Sequence, residues 1–199
     1  MAMTEVLSEA IGPRRGIGLR AKQAALVVAG IAAMAIAAKI RVPFWPVPAT
    51  MQTFVVLTIG AAYGTRLSLA TMLGYLAVGA FGFNIFTSSS AEVNGIAYML
   101  GSTGGYLVGF AVAAGVMGAL AARGWDRTWG RMALSMLIGT AIIYAFGLAW
   151  MSHLFLADKG MAWVVKYGFT NFVPFELVKV ALAAVLFPVI WRGVGNARA

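Results

Sequence analysis

Asn171–Arg192, NFVPFELVKVALAAVLFPVIWR, decides how this chain is read. Its length and apolar composition are those of a membrane helix. Near its start, however, stand Glu176 and Lys179, three residues apart, a spacing that puts both on one helix face within pairing distance. An ionisable side chain inside a bilayer costs about 2.5–3.5 kcal/mol even on lenient insertion scales, so both groups need partners. Two readings follow. The pair neutralises itself near a helix end while Lys179 snorkels to the interface, or it forms a polar clamp at the mouth of a membrane pocket.

The composition supports the membrane setting. Of 199 residues, 61% are hydrophobic and 11% are charged, against about 25% charged in ordinary soluble domains. The expected class is an all-α integral membrane protein, with residues 1–199 as one domain. The net charge of +9 does not point to nucleic acid, because the basic residues are spread over termini and inter-helix segments. The chain has no cysteine, which removes disulfides and thiolate metal sites. Residues 1–19 are polar and lack a signal-peptide pattern, so they read as a cytoplasmic leader.

A first helix is predicted over about Arg20–Lys39, with small residues at i+4 steps: Ala21, Ala25, Ala29, Ala33 and Ala37. Such a column lets another helix backbone approach closely, so it reads as a packing face, internal or for a partner protein. Pro43, Pro46 and Pro48 then forbid a regular helix across Arg41–Gln52. Short helices over about Met51–Tyr63 and Leu67–Phe81 are joined by a tight turn at Gly64-Thr65-Arg66. Gly82–Thr103 reads as a long polar-leaning loop with no helix of its own, and such loops are usually functional. Three more helices are predicted at about Gly104–Ala122, Met132–Phe155 and Pro174–Trp191, with Leu156–Val173 as a mixed loop. Gly101, Gly105 and Gly109 form a second close-packing series.

Six helices place both termini on one side. That side holds Arg14, Arg15, Arg20, Lys22, Arg66, Arg123, Arg127, Arg131, Arg192 and Arg198, whereas Lys39, Arg41, Lys159 and Lys166 lie on the other. The bias predicts cytoplasmic termini. It also puts the proline loop, the serine-containing loop and Glu176–Lys179 together at the outer face.

No enzyme constellation is present. His153 is the only histidine, which rules out two-histidine metal motifs, and neither a nucleophile elbow nor a phosphate loop occurs. A binding site remains, with no metal. Glu176 as acceptor and Lys179 as donor, the amides of Gln52, Asn84 and Asn94, and Tyr98 and Tyr106 suit a small polar ligand, while Trp45, Phe44 and Phe86 could cover its apolar part. A ligand carrying N–H donors beside a carbonyl fits the acid–amine pair.

The series P-x-x-P-x-P-A-T-M-Q (Pro43–Gln52), G-x-x-x-G-T-R (Gly60–Arg66), G-Y-L-x-V-G-A-F-G (Gly74–Gly82), S-T-G-G-Y-L-V-G-F (Ser102–Phe110) and F-x-P-F-E-L-V-K (Phe172–Lys179) resembles the BioY family. These are biotin-capturing S components of energy-coupling-factor (ECF) transporters in the bacterial plasma membrane. The resemblance implies a six-transmembrane-helix S-component bundle and biotin as ligand, with no cofactor. It places Glu176 and Lys179 on the ureido ring beneath the two outer loops. It also implies docking through Ala25, Ala29, Ala33 and Ala37 onto a transmembrane coupling protein, itself joined to ABC-type ATPase subunits. Where the family usually has Asp, this chain has Glu176, and where the family commonly has Gly-Leu-Pro it has Gly82-Phe83-Asn84, which suggests Asn84 as a contact for the ligand's carboxylate, with Ser and Thr hydroxyls, backbone N–H groups or Arg41 as the alternatives. An ion-coupled carrier using Glu176 as a proton site is the competing function.

Overall fold

The computed structural model describes residues 5–196. The chain runs α1 (Leu7–Ala10), α2 (Gly16–Lys39), β1 (Arg41–Val42), β2 (Ala49–Thr50), α3 (Gln52–Ala80), α4 (Gly95–Met99), α5 (Gly104–Ala121), α6 (Trp129–Lys159), α7 (Met161–Gly168), a 3₁₀ turn (Thr170–Phe172) and α8 (Val173–Asn196). Among the described residues, five helical runs are long and apolar enough to cross a membrane: α2, α3, α5, α6 and Met161–Gly195.

Unbroken, α3 would separate Gln52 from Tyr75 by about 34 Å, at 1.5 Å per residue. Instead Gln52 Nε2 donates to Tyr75 Oη at 2.8 Å. The helix therefore folds back on itself, and the hinge is Gly64, whose φ of 77° and ψ of 170° break the helical run. Left-handed φ is what glycine tolerates and other residues avoid. The predicted turn is thus present, between arms of residues 52–63 and 65–80.

Both arms lie on α5. Ser68 Oγ donates to Ala114 O, and a Cβ on Gly60 would stand 2.7 Å from the same oxygen. Tighter still, a Cβ on Gly118 would lie 2.2 Å from the Thr65 nitrogen, backbone against backbone. Gly118→Ala must therefore push α5 off the hinge. Overpacking of this kind costs about 1–3 kcal/mol, or roughly 2–4 °C of melting temperature per kcal/mol at this chain length. Gly193→Ala, with nothing within 4 Å, is the control that leaves the melting temperature unchanged in detergent. Of the other glycine series, Gly105 and Gly109 bring α5 against the backbone of α6 at Phe146 and Ile143, whereas Gly101 precedes α5 and meets only the Tyr98 carbonyl.

Three segments differ from the sequence reading. The expected loop Leu156–Val173 is largely helical: α6 continues to Lys159, and after a joint at Gly160 α7 buries Val164 and Gly168 while its remaining side chains stay at least partly accessible. The long loop after α3 contains α4, which buries Tyr98. In the leader, α1 buries Val6, Leu7 and Ala10, Ser8 Oγ donates to Tyr63 O, and Lys22 Nζ donates to Ser8 O and Ile11 O. Those apolar side chains fall at helical spacing, but over a single turn that is too short to register as a period, though sufficient to seat a clasp on the Gly64 hinge. Residues 1–4, the rest of that leader, and Arg198 lie outside the described residues.

The clasp also reaches the last turns of α8. Arg127 donates to Glu5 O at 3.0 Å and stacks 4.3 Å from the Trp191 ring, while Trp191 Nε1 donates to Asp126 Oδ2 at 2.6 Å. The hinge, the α5–α6 connection, the clasp and the last turns of α8 therefore share one end of the bundle. Burial pushes the Asp126 carboxyl above its ordinary range there. The β1–β2 hairpin, α4, α7 and the start of α8 occupy the opposite end.

Candidate functional site

Helix α8 shows an inward stripe. Glu176, Lys179, Val180, Ala183 and Phe187 are buried, whereas Leu177, Val178, Leu182, Val185 and Val189 are exposed. Glu176 is 7% and Lys179 6% accessible, so neither faces lipid and Lys179 does not snorkel outward. Of the two readings open from sequence, the structure takes the inward one.

The pair is held from three other elements. Lys179 Nζ donates to Glu176 Oε1 at 2.6 Å, to the Thr50 carbonyl at 2.7 Å and to Thr53 Oγ1 at 2.7 Å. That uses its three protons. Thr53 passes its own proton on to Glu176 Oε1 at 3.0 Å, and Tyr144 of α6 donates to the same oxygen at 3.2 Å. Oε1 therefore receives three donors, while among the described residues none is recorded to Oε2. Removing two charges from water is repaid only by such dense bonding. One carboxylate oxygen is fixed and the other is left available.

Beside Glu176 lies a narrow cavity of about 50 Å³. One wall is Val47, Pro48, Ala49 and Thr50 of the proline loop, with Gln52 and Thr53 at the head of α3. Thr87, Tyr98 and Thr103 come from the connection between α3 and α5, and Tyr106, Leu107 and Phe110 from α5. Tyr144, Phe172 and Glu176 complete it. The proline loop is covalently constrained and its Trp45–Pro46 bond is cis. Two β1–β2 residue pairs, Arg41 with Thr50 and Val42 with Ala49, fold it over the opening.

Of the residues singled out from sequence, Glu176, Gln52, Tyr98 and Tyr106 line this cavity. Lys179 stands behind Glu176 and lines a separate crevice with Arg41, Val42 and Phe175. Two of the lining groups are already engaged: Gln52 bonds Tyr75, and the Tyr106 hydroxyl donates to Gly168 O at 2.7 Å, leaving its ring as wall. Asn84 is exposed and outside the cavity lining, and Asn94, at the head of α4 and also outside the lining, donates its amide to Ala91 O at 3.4 Å rather than capping the helix. Trp45 is 68% exposed and packs edge-on against Trp163 of α7. Phe44 packs on Phe172 and Phe175, and Phe86 lies between Tyr75 and Tyr98, so both support the wall without forming it. Exposed His153 sits beside Trp150, away from the cavity.

Thr53 and Tyr144 were missed from sequence. Thr53 directly follows the quoted proline motif, and Tyr144 is a hydroxyl in an apolar span; such groups ordinarily need a partner when buried. The alanine column also divides. Ala21, Ala25 and Ala29 are exposed, Ala33 is half-buried and Ala37 is 2% accessible. Each i+4 step rotates about 40° around a helix of 3.6 residues per turn, so the column winds from the outside into the core.

Comparison with known proteins gives a consistent result. The sequence model of the BioY family matches residues 8–196. The biotin transporter BioY of Thermotoga maritima is 36% identical over 167 residues, covering 81% of this chain and 92% of that protein. The biotin transporter BioY of Rhizobium etli is 29% identical over 170 residues, covering 81% and 87%. Among solved structures, the S-component for biotin from an ECF-type ABC transporter superposes with a TM-score of 0.75 over 89% of this chain and 95% of that chain. At 19% identity that likeness establishes the fold.

Proposed function

The chain belongs to the BioY family, and from that membership and the geometry of its cavity we propose that it captures biotin at the outer face of the plasma membrane for uptake with an ECF module. The observation that carries this reading is Glu176: it lines the cavity, one carboxylate oxygen is immobilised by Lys179, Thr53 and Tyr144, and among the described residues no donor is recorded to the other. A cyclic urea offers N–H donors, which a carboxylate accepts strongly. The aromatic and aliphatic wall of Tyr106, Leu107, Phe110 and Phe172 suits the apolar ring and chain.

In this reading the cavity end faces outward. The clasp end carries Arg14, Arg15, Arg20, Lys22, Arg66, Arg123, Arg127, Arg131 and Arg192, against Lys39, Arg41, Lys159 and Lys166 near the cavity, which supports a cytoplasmic clasp. The exposed small residues of α2 would meet the transmembrane coupling protein, itself driven by ABC-type ATPases. An ion-coupled carrier is less well supported, because among the described residues Glu176 is the only acid on the cavity wall, with no second acid beside it for a relay.

The direct test is titration of the detergent-purified chain with biotin, desthiobiotin, thiamine and riboflavin. Saturable one-to-one binding of biotin, with neither thiamine nor riboflavin bound, is the expected result; no saturable biotin binding removes the reading. Tyr144→Phe deletes one of three donors to Oε1, and biotin affinity is expected to fall about three- to tenfold. That is below the range of about 1.5–3 kcal/mol for a hydrogen bond to a charged group, since Lys179 and Thr53 still hold the oxygen.

A further inference from the structure

We propose that the clasp end carries a second binding site, for the headgroup of an anionic phospholipid, in the cavity between α1, the head of α2 and the Gly64 hinge. It lies at the opposite end of the bundle from Glu176 and does not rest on the biotin reading.

This cavity measures about 690 Å³. Leu19, Leu26 and Leu67 give it an apolar side, and Lys22, Gln23 and Arg66 a polar one. Glu5 and Glu9 also line it, but both are engaged: Glu5 pairs with Arg14 at 3.1 Å, and Glu9 Oε2 accepts from the Val6 N–H at 3.4 Å. The Arg66 side chain is exposed, and among the described residues no hydrogen bond, ion pair or ring contact is recorded for it. Lys22 gives two protons to Ser8 O and Ile11 O, which leaves a third. Arg20, also exposed, stands one turn before Gln23 on the same side of α2. Cations therefore surround a cavity whose acids are turned to the clasp.

The setting selects a lipid over a soluble ion. Helix α2 is the least buried candidate span, and its Ile17 and Val28 are 87% and 66% exposed, so its outer flank faces lipid. The cavity thus borders the bilayer where that span begins. Basic pockets between membrane helices take anionic headgroups, and the long stems of Lys and Arg let their charges reach headgroup level. A phospholipid carries its phosphate beside acyl chains, which matches cations beside leucines; a soluble phosphate leaves the leucines unused. A lipid seated there touches the clasp, α2 and the hinge at once.

The experiment titrates the full detergent-purified chain with dioctanoyl phosphatidylglycerol, dioctanoyl phosphatidylcholine or glycerol phosphate, and counts bound molecules by native mass spectrometry. The native chain is expected to hold one phosphatidylglycerol at least about tenfold more tightly than phosphatidylcholine and to leave glycerol phosphate unbound. A basic side chain at an anionic lipid surface is worth about fivefold. Arg66→Gln should therefore weaken phosphatidylglycerol by about that factor and leave phosphatidylcholine unchanged. Glu9→Gln removes a negative charge from the same cavity, keeps an oxygen for the Val6 N–H, and should tighten phosphatidylglycerol about as much. Arg131→Gln, at the same end but outside the cavity, should change nothing. Equal binding of the two lipids by the native chain overturns the proposal, and so does an equal loss in Arg66→Gln and Arg131→Gln, the mark of diffuse charge. Glycerol phosphate bound as tightly as phosphatidylglycerol overturns the lipid assignment. Where Arg66→Gln melts below the native chain, Glu9→Gln still decides, because an unchanged affinity there also overturns the site.

Discussion

Glu176→Ala is expected to weaken biotin binding at least about 100-fold. A hydrogen bond to a charged group contributes about 1.5–3 kcal/mol, and the carboxylate offers the ligand's N–H groups their acceptor. Losing about 3 kcal/mol is somewhat more than a hundredfold in affinity. The difficulty is that the same change strands Lys179, and an unpaired buried charge costs about 3–5 kcal/mol. Two of the three Lys179 bonds survive, to the Thr50 carbonyl and the Thr53 hydroxyl, so a weakened fold rather than an unfolded one is expected. The paired change Glu176→Leu with Lys179→Met separates the two effects. Replacing a buried ion pair by apolar groups is often neutral or stabilising, so this variant should melt near the native temperature while binding no biotin. Glu176→Gln, which keeps an acceptor oxygen but not the charge, should fall between, at roughly tenfold. Biotin binding by the paired variant within threefold of native would show that the ion pair is structural and remove Glu176 from the site.

Glu176 and Lys179 were visible before any coordinates because a three-residue spacing on a helix is local, and because charge in a bilayer demands explanation. Their direction, inward rather than toward lipid, was not. It depends on Thr53, 123 residues away, and Tyr144, 32 residues away, which no periodicity connects. The same division runs through the fold. The Gly64 hinge was legible because a glycine at a break between two apolar runs has a local cause, whereas α7 and α4 were read as loop because each is too short to show a period. Asn84 and Trp45 were chosen by residue type in loops, where side-chain direction follows from packing alone; packing places Asn84 in the open and Trp45 against α7. The clasp escaped notice for a related reason: a polar segment with three apolar side chains looks solvated until the surface it covers is known.

The α2 surface leads to the second large effect. Of the five candidate spans α2 is the least buried, 22% of its apolar window against 39–67% for the rest, so it lies at the edge of the bundle. Bulky Val28 and Ile36 flank the exposed Ala25 and Ala29 on that edge. Lipid contact alone does not require small side chains; close approach of a second helix does. Ala25→Leu with Ala29→Leu should therefore leave biotin binding intact, because neither residue lines the cavity. Uptake of labelled biotin by cells supplying the coupling protein and ATPases should nevertheless fall at least tenfold. Overpacking costs about 1–3 kcal/mol per site, and two sites on one ridge exceed the 1.4 kcal/mol that corresponds to tenfold. Val28→Leu, on the same exposed side but already bulky, is expected to keep uptake near native. Native uptake by the double variant would exclude this ridge as the coupling contact, and loss of binding together with uptake would place the damage inside the bundle. If uptake also persisted without any ATPase partner, the transport itself would have to be driven some other way, and Glu176 would again become a candidate proton site.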